Sequence, residues 1–228
     1  SPLKSFIMVA CERQLLGLAL ACIGFLGSII SCALPTWRIT KTFRDSEMPF
    51  SVVDGLWKRC VISPTGEMQC MGYEYIPLPA DMKAARGLII IAIITELLGI
   101  LLGVAGRNCM NFVPDERQRR KMALTSGIAF LIAGFFVLIP VSWTTNTIRD
   151  DFQPIESLNN PDHLLLKKME LGAALYIGWF TTVLLFLGGG LVCSLTYCFL
   201  NKAYFNTSSC FLEIRKRCYE CFHLKFVI

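Results

Sequence analysis

Apolar and polar positions alternate along this chain on two length scales. On the long scale, four runs almost free of charge, 15–34, 87–106, 122–141 and 171–200, are separated by polar segments. Each is about 20 residues or more, and at ~1.5 Å of rise per residue a helix of that length crosses a ~30 Å hydrocarbon layer. A soluble chain of 228 residues rarely buries four such helices, so the pattern predicts four membrane spans. On the short scale, Trp37-Arg38-Ile39-Thr40 alternates apolar with polar, the period-two signal of a half-exposed strand. A short apolar strand follows at 50–53, then two hairpin arms at 57–62 and 67–75. Pro77-Leu78-Pro79 ends this small antiparallel sheet, and 80–86 begins the second helix above the bilayer.

The hairpin carries its own register. Ser63-Pro64-Thr65-Gly66 has the residues a type I turn favours, with Ser first, Pro second and Gly last. A three-residue loop with Gly66 in the left-handed region pairs Ser63 with Glu67. Counting outward then sets Cys60 opposite Cys70, at a Cα separation of about 4.5–5.5 Å, within reach of a disulfide. The register predicts a Cys60–Cys70 bridge and an oxidising, extracellular side for the sheet.

Within the spans, Gly17, Gly24, Gly27 and Ser31 lie close to one face of the first helix, where small side chains let membrane helices approach. Glu96 is the only ionisable residue deep in any span. Such an acid costs roughly 2.5–3.5 kcal/mol at a helix centre and must face protein or be protonated. Gly99, Gly103 and Gly106 share its face. A proton or ion relay needs a second intramembrane charge, which the spans lack; packing against hydroxyls or backbone is the expected role. Trp143 suits the interfacial aromatic belt. The segment 164–171, with Lys167 and Lys168, reads as a helical extension of the last span, and Gly188-Gly189-Gly190 marks a bend or a close helix contact in it.

Composition and charge then orient the chain. It is 54% hydrophobic, with a mean hydropathy of +0.53 and a net charge of +5. Arg107, Arg117, Arg119, Arg120 and Lys121 flank one short connection, and Lys202, Arg215, Lys216, Arg217 and Lys225 fill the tail. Basic residues stay cytosolic. The expected order is a cytosolic N-terminus (1–14), span 15–34, outer loop 35–86, span 87–106, cytosolic loop 107–121, span 122–141, outer loop 142–170, span 171–200 and cytosolic tail 201–228. The first span is long for a cleavable signal and reads as a retained anchor. The basic charge is thus a topology signal, and no nucleic-acid partner is expected. His163 and His223 fall on opposite sides, with no nucleophile–base grouping or phosphate loop, so neither enzyme activity nor a cofactor is expected. Cys218, Cys221 and His223 offer three irregularly spaced ligands where a closed zinc site needs four, so no metal site is assigned. Juxtamembrane cysteines, Cys193 and Cys198 foremost, suit palmitoylation and membrane lipid contact. Phe226-Val227-Ile228 offers the apolar end that a PDZ domain captures.

Trp37, Gly55-Leu56-Trp57, Cys60, Cys70 and Arg86 together resemble the claudin family. The resemblance continues in Ala33-Leu34-Pro35, Pro140-Val141-Ser142-Trp143, Asn146, Arg149-Asp150 and Gly172-x-x-Leu175-Tyr176-x-Gly178-Trp179. It covers roughly 14–200. It implies a mainly α membrane protein, a left-handed four-helix transmembrane bundle carrying a small extracellular antiparallel β-sheet. Family members associate with themselves and other claudins, in one membrane and between cells, into tight-junction strands that seal or selectively conduct the paracellular space. PDZ-containing junction scaffolds are implied partners, and the multi-pass plasma membrane of a tight junction is the implied location. The residue after the second cysteine helps set ion selectivity in the family; here it is Met71, which is uncharged. Lys58, Arg59 and Glu74 are the other candidate path residues; their mix leaves a barrier, a cation pore and an anion pore open, and the two bases tilt toward an anion-tolerant or cation-excluding barrier. The chain departs from the family pattern where Asp151 replaces an aromatic, leaving Phe152 as the candidate cell–cell contact, in a second loop that looks longer, and in its Val-Ile end. A paracellular ion channel, or an auxiliary subunit of another channel, is the alternative function.

Overall fold

The structure, a computed structural model, describes the backbone of residues 2–44, 47–74, 79–106, 116–150 and 165–201, and the side chains of 12–41, 50–74, 79–106, 117–149 and 168–194. Chain order is α1 (Pro2–Ala33), β1 (Arg38–Arg44), β2 (Glu47–Asp54), β3 (Lys58–Ile62), β4 (Met68–Gly72), α2 (Ala80–Ala105), α3 (Glu116–Asp150), β5 (Leu165–Leu171) and α4 (Ala173–Asn201). All four helices are long and apolar enough to cross a membrane. Their outward positions are apolar too: Leu26, Ile94, Leu101, Phe180 and Leu187 are exposed, as hydrocarbon-facing side chains must be.

Small residues set the helix pairs. Main-chain atoms of α1 and α4 approach so closely that a methyl group on Gly188 would lie 2.7 Å from the Gly17 carbonyl oxygen. Farther along the same seam, Gly27 faces Thr181, and Ser31 Oγ donates to the Ala174 carbonyl at 3.0 Å. The small face of α1 is therefore its α4 face. Gly99 and Gly103 of α2 and Gly106 at its C-cap meet Phe130, Ser126 and Ala123 of α3, and Ser126 Oγ donates to the Gly99 carbonyl at 2.6 Å. Two glycines of the α4 triplet produce close contacts within a continuous helix, Gly188 with α1 and Gly189 with the Gly127 carbonyl of α3, while Gly190 faces open space. Glu96 is fully buried, and Ser28 Oγ of α1 donates to its Oε1 at 2.7 Å, which links α2 to α1.

The sheet sits at the end of the bundle where α1 and α3 finish and α2 and α4 begin. It has five antiparallel strands in the order β4-β3-β2-β1-β5. At the β3–β4 hairpin, the Ser63 N–H donates to the Glu67 carbonyl at 2.9 Å, the Gly66 N–H to the Ser63 carbonyl at 2.9 Å, and Gly66 has φ +84°. Three steps on from that closure, Cys60 and Cys70 occupy a non-hydrogen-bonded pair, the closer of the two antiparallel spacings. Their Cα atoms are 4.0 Å apart and the disulfide is formed.

Two expectations change. Residues 165–171 form strand β5 instead of a helical extension of the last span, pairing along the whole of β1 from Arg38↔Leu171 to Arg44↔Leu165. The physical reason is the open edge of β1, whose N–H and C=O groups take partners from β5; alternation then buries Met169 and exposes Lys168. In addition, α3 does not end near residue 141. It runs through Pro140 to Asp150, with Ser142, Thr145 and Thr147 hydroxyls donating to carbonyls three or four residues back, at 2.7–3.1 Å. A proline in a membrane helix persists where neighbours and hydroxyls re-satisfy the freed backbone. The extended end of α3 brings Ile148 into one buried cluster with Trp37, Leu56, Met82 and Met169, continuous with Ala92, Phe130 and Leu185 of the bundle.

Candidate functional site

The sheet is fastened to the bundle by the tryptophan, glycine and arginine positions singled out above. Trp37 follows α1 directly, is fully buried, and donates its indole N–H to the Ser31 carbonyl at 2.8 Å, at the last turn of the helix. The Trp37 N–H donates to the Asp54 carbonyl at 2.9 Å, so the same residue begins the ladder. Gly55 then passes against the Pro35 backbone, where a Cβ would overlap the Pro35 main chain. That passage seats Leu56 in the core and turns Trp57 outward, at 47% exposure. Arg86, near the start of α2, donates from Nε to the Leu56 carbonyl at 2.9 Å and from Nη2 to the same oxygen. Its guanidinium carbon lies 4.5 Å from the Trp57 ring centroid, a cation–π contact. One arginine thus satisfies the turn's carbonyl and covers its aromatic ring.

Two charged links missed in the sequence reinforce this junction. Arg38 of β1 donates to Asp81 of α2 at 2.7 Å with both side chains mostly buried. Arg59 of β3 is paired with Asp54 of β2, its register partner. Tyr73 completes that group, with its hydroxyl 3.4 Å from Asp54 Oδ1 and 3.1 Å from the Gly55 carbonyl. The hydrogen bond to Asp54 raises the Arg59 pKa, while burial, then the Asp54 charge, pushes the Tyr73 phenol up to about 12. The available sequence signal was Asp54-Gly55, a turn dipeptide whose aspartate ends one strand just before the next begins. Its arginine partner becomes visible only when the β2–β3 register is known.

Strand parity decides which candidate path residues share a surface. Arg38, Thr40, Phe50, Val52, Asp54, Arg59, Val61, Gln69, Met71 and Met169 lie on one face. Its inner part, at Arg38, Thr40, Asp54 and Met169, is buried on the bundle; its outer part is open. Lys58 lies on the opposite face, register-paired with Gly72 and exposed. That other face also carries Lys41 and Lys168, both within ion-pair distance of Glu170, at 2.8 and 3.2 Å; these bonds hold the Glu170 carboxyl below its usual range. The structure therefore separates Lys58 from Met71, and brings Arg59 to Met71 with its charge already matched by Asp54. Glu74 is exposed in the turn after β4.

The remaining site expectations fall elsewhere. Cys193 is half-buried between α3 and α4, its Sγ 4.0 Å from the Leu124 carbonyl oxygen. The side chain of Cys198, and Phe152, Cys218, Cys221, His223, Phe226, Val227 and Ile228, lie outside the described residues. Among the described residues no group of three His, Cys, Asp or Glu side chains could hold a metal.

Comparison with known proteins was consistent along most of the chain. The model of the PMP-22/EMP/MP20/Claudin family matches residues 12–192. Claudin-4 of Bos taurus is 43% identical over 189 residues, covering 82% of this chain and 87% of the relative. Human Claudin-6 is 42% identical over 82% of this chain and 83% of its own length, and human Claudin-9 is 44% identical over 75% and 77%.

Proposed function

The chain belongs to the PMP-22/EMP/MP20/claudin family, and from that premise we propose that it is a tight-junction claudin that polymerises into strands and controls paracellular permeability. Its role is structural rather than enzymatic. The observation that carries this reading is the fastening of the sheet: Trp37, Gly55, Leu56, Trp57 and Arg86 lock a disulfide-stapled hairpin onto the ends of four membrane-length helices.

The basic residues around the α2–α3 connection and in the tail support a cytosolic location for both termini, with the sheet outside. The same charge pattern supports the assignment of 35–86 and 142–170 to the outer surface, with 1–14, 107–121 and 201–228 inside. Partners are other copies of this chain and other claudins, in cis and in trans, with Phe152 as a contact. PDZ scaffolds at Phe226-Val227-Ile228, and acylation of Cys198 against membrane lipid, extend the reading; the Cys193 thiol, turned between α3 and α4, is the poorer acceptor.

Expression in cells without junction strands, followed by freeze-fracture imaging, tests it. Continuous intramembrane strands and enrichment at contacts between expressing cells are expected. Diffuse surface protein without strands overturns the proposal.

A further inference from the structure

The outer part of the sheet face that carries Met71 has a chemistry distinct from the rest of the surface. Phe50 is 41% exposed, Val61 40% and Met71 57%, with Gln69 also exposed beside them. Register places the four on adjacent strands of one face, as Val52↔Val61, Val61↔Gln69 and Arg59↔Met71. The ionic groups described on this face are Arg59 with Asp54, which pair with each other, and Arg38, which pairs with Asp81 at the bundle. Lysines lie on the opposite face, with Lys58 and Lys168 exposed and Lys41 half-buried. Around Met71 and Val61 the described surface is therefore apolar and its ionic groups are paired, while Arg44 and Lys167 fall at the far end of the same face by register, beyond Phe50.

We propose that Phe50, Val61 and Met71 form an apolar wall that resists the passage of cations and anions alike, by withholding hydration instead of by charge. This deepens the barrier reading and rests on it, since it takes Met71 to face the paracellular path. An ion entering a narrow gap beside such a wall surrenders part of its water shell and gains no polar partner in exchange. Charge does not discriminate at such a constriction, so sodium and chloride are excluded together. Gln69, opposite Val61, is neutral, and Arg59, opposite Met71, is paired with Asp54.

The test uses the full chain in a leaky epithelial monolayer, with transepithelial resistance and sodium-to-chloride dilution potentials as readouts. Val61→Thr/Met71→Gln keeps side-chain size and neutrality while adding hydrogen-bonding groups. It is expected to lower the resistance gained on expression by about twofold or more with the sodium-to-chloride permeability ratio unchanged. Lys58→Gln, on the opposite face, is expected to leave both readouts unchanged. Freeze-fracture of each line checks strand density; if the double variant forms fewer strands, Met71→Gln alone is the deciding comparison, because Met71 is mostly exposed and supports no core. Unchanged resistance in the neutral polar variant, or a shifted permeability ratio in Lys58→Gln, overturns the apolar wall while leaving the claudin reading intact. Absence of strands in the unmodified protein overturns both.

Discussion

Arg86 shows how one residue can hold two elements together. It fills both hydrogen-bonding roles at the Leu56 carbonyl and stacks on Trp57. Arg86→Ala leaves that carbonyl without its partner and is expected to cost about 1–3 kcal/mol. Arg86→Lys recovers part of this, because an ammonium keeps the charge but lacks the planar fork. Thermal melting of the detergent-solubilised protein reads the order wild type, Lys, Ala. Ser28 and Glu96 offer a second residue-scale test. Glu96 Oε2 has no hydrogen-bond partner, and Ser28 supplies the bond to Oε1. Ser28→Ala is expected to destabilise by about 1–3 kcal/mol, whereas adding Glu96→Leu to it restores most of the loss, because the buried acid that needed a partner is gone. A double-mutant cycle of melting temperatures checks this; additive losses would contradict it.

At the scale of elements, β5 and the β3–β4 hairpin respond differently to change. Met169 of β5 is buried in the cluster with Trp37 and Ile148, while Lys168 is exposed. Met169→Asp places a charge in that cluster and is expected to cost more than about 2 kcal/mol, with loss of surface expression. Lys168→Gln is expected to stay within about 0.5 kcal/mol of wild type. Equal effects of the two would argue against the strand. In the hairpin group, the Tyr73 phenol is raised from 10.0 to about 12 by burial and then by the Asp54 charge. A folded-state value above the unfolded one favours the protonated phenol in the fold. The contribution is therefore full below pH 10 and is lost as pH rises through about 12. Phenolate absorbance of wild type minus Tyr73→Phe should show one tyrosine titrating near that upper value; a difference curve centred at 10 would exclude the assignment. Most of the sheet was legible in the sequence because local signals carried it. Ser63 to Gly66 specified a turn, and period-two counting from it reached Cys60 and Cys70. Strand β5 was not legible, because an apolar segment with two lysines just before a long helix has no local mark of strand, and its partner β1 is more than a hundred residues away.

For the whole molecule, one buried cluster runs from the bundle into the sheet, so packing between membrane helices also sets how the sheet is held. Gly27→Val puts side-chain atoms onto Thr181 and forces α1 away from α4. A cost of about 1–3 kcal/mol is expected from overpacking. Reduced junctional localisation should accompany it although no residue of the sheet has changed; normal localisation with lowered melting temperature would show the sheet to be independent of the seam.

What the sequence determined by itself was the part written in short-range periodicity and length: four spans and a hairpin with its disulfide, while the Trp37, Gly55-Leu56-Trp57, Arg86 set was legible through its resemblance to the claudin family. The path residues were another matter. Lys58 and Arg59 are neighbours in sequence and read as one positive patch, yet consecutive strand residues point to opposite faces. Tertiary structure sets Asp54 beside Arg59, where it matches the charge, and adds Phe50 of β2 to the surface that Val61 and Met71 share. The Ser63–Gly66 turn already implies Arg59 opposite Met71; the pairings that this turn does not specify, Asp54 with Arg59 and β1 with β5, are fixed by which register buries the inner face on the bundle.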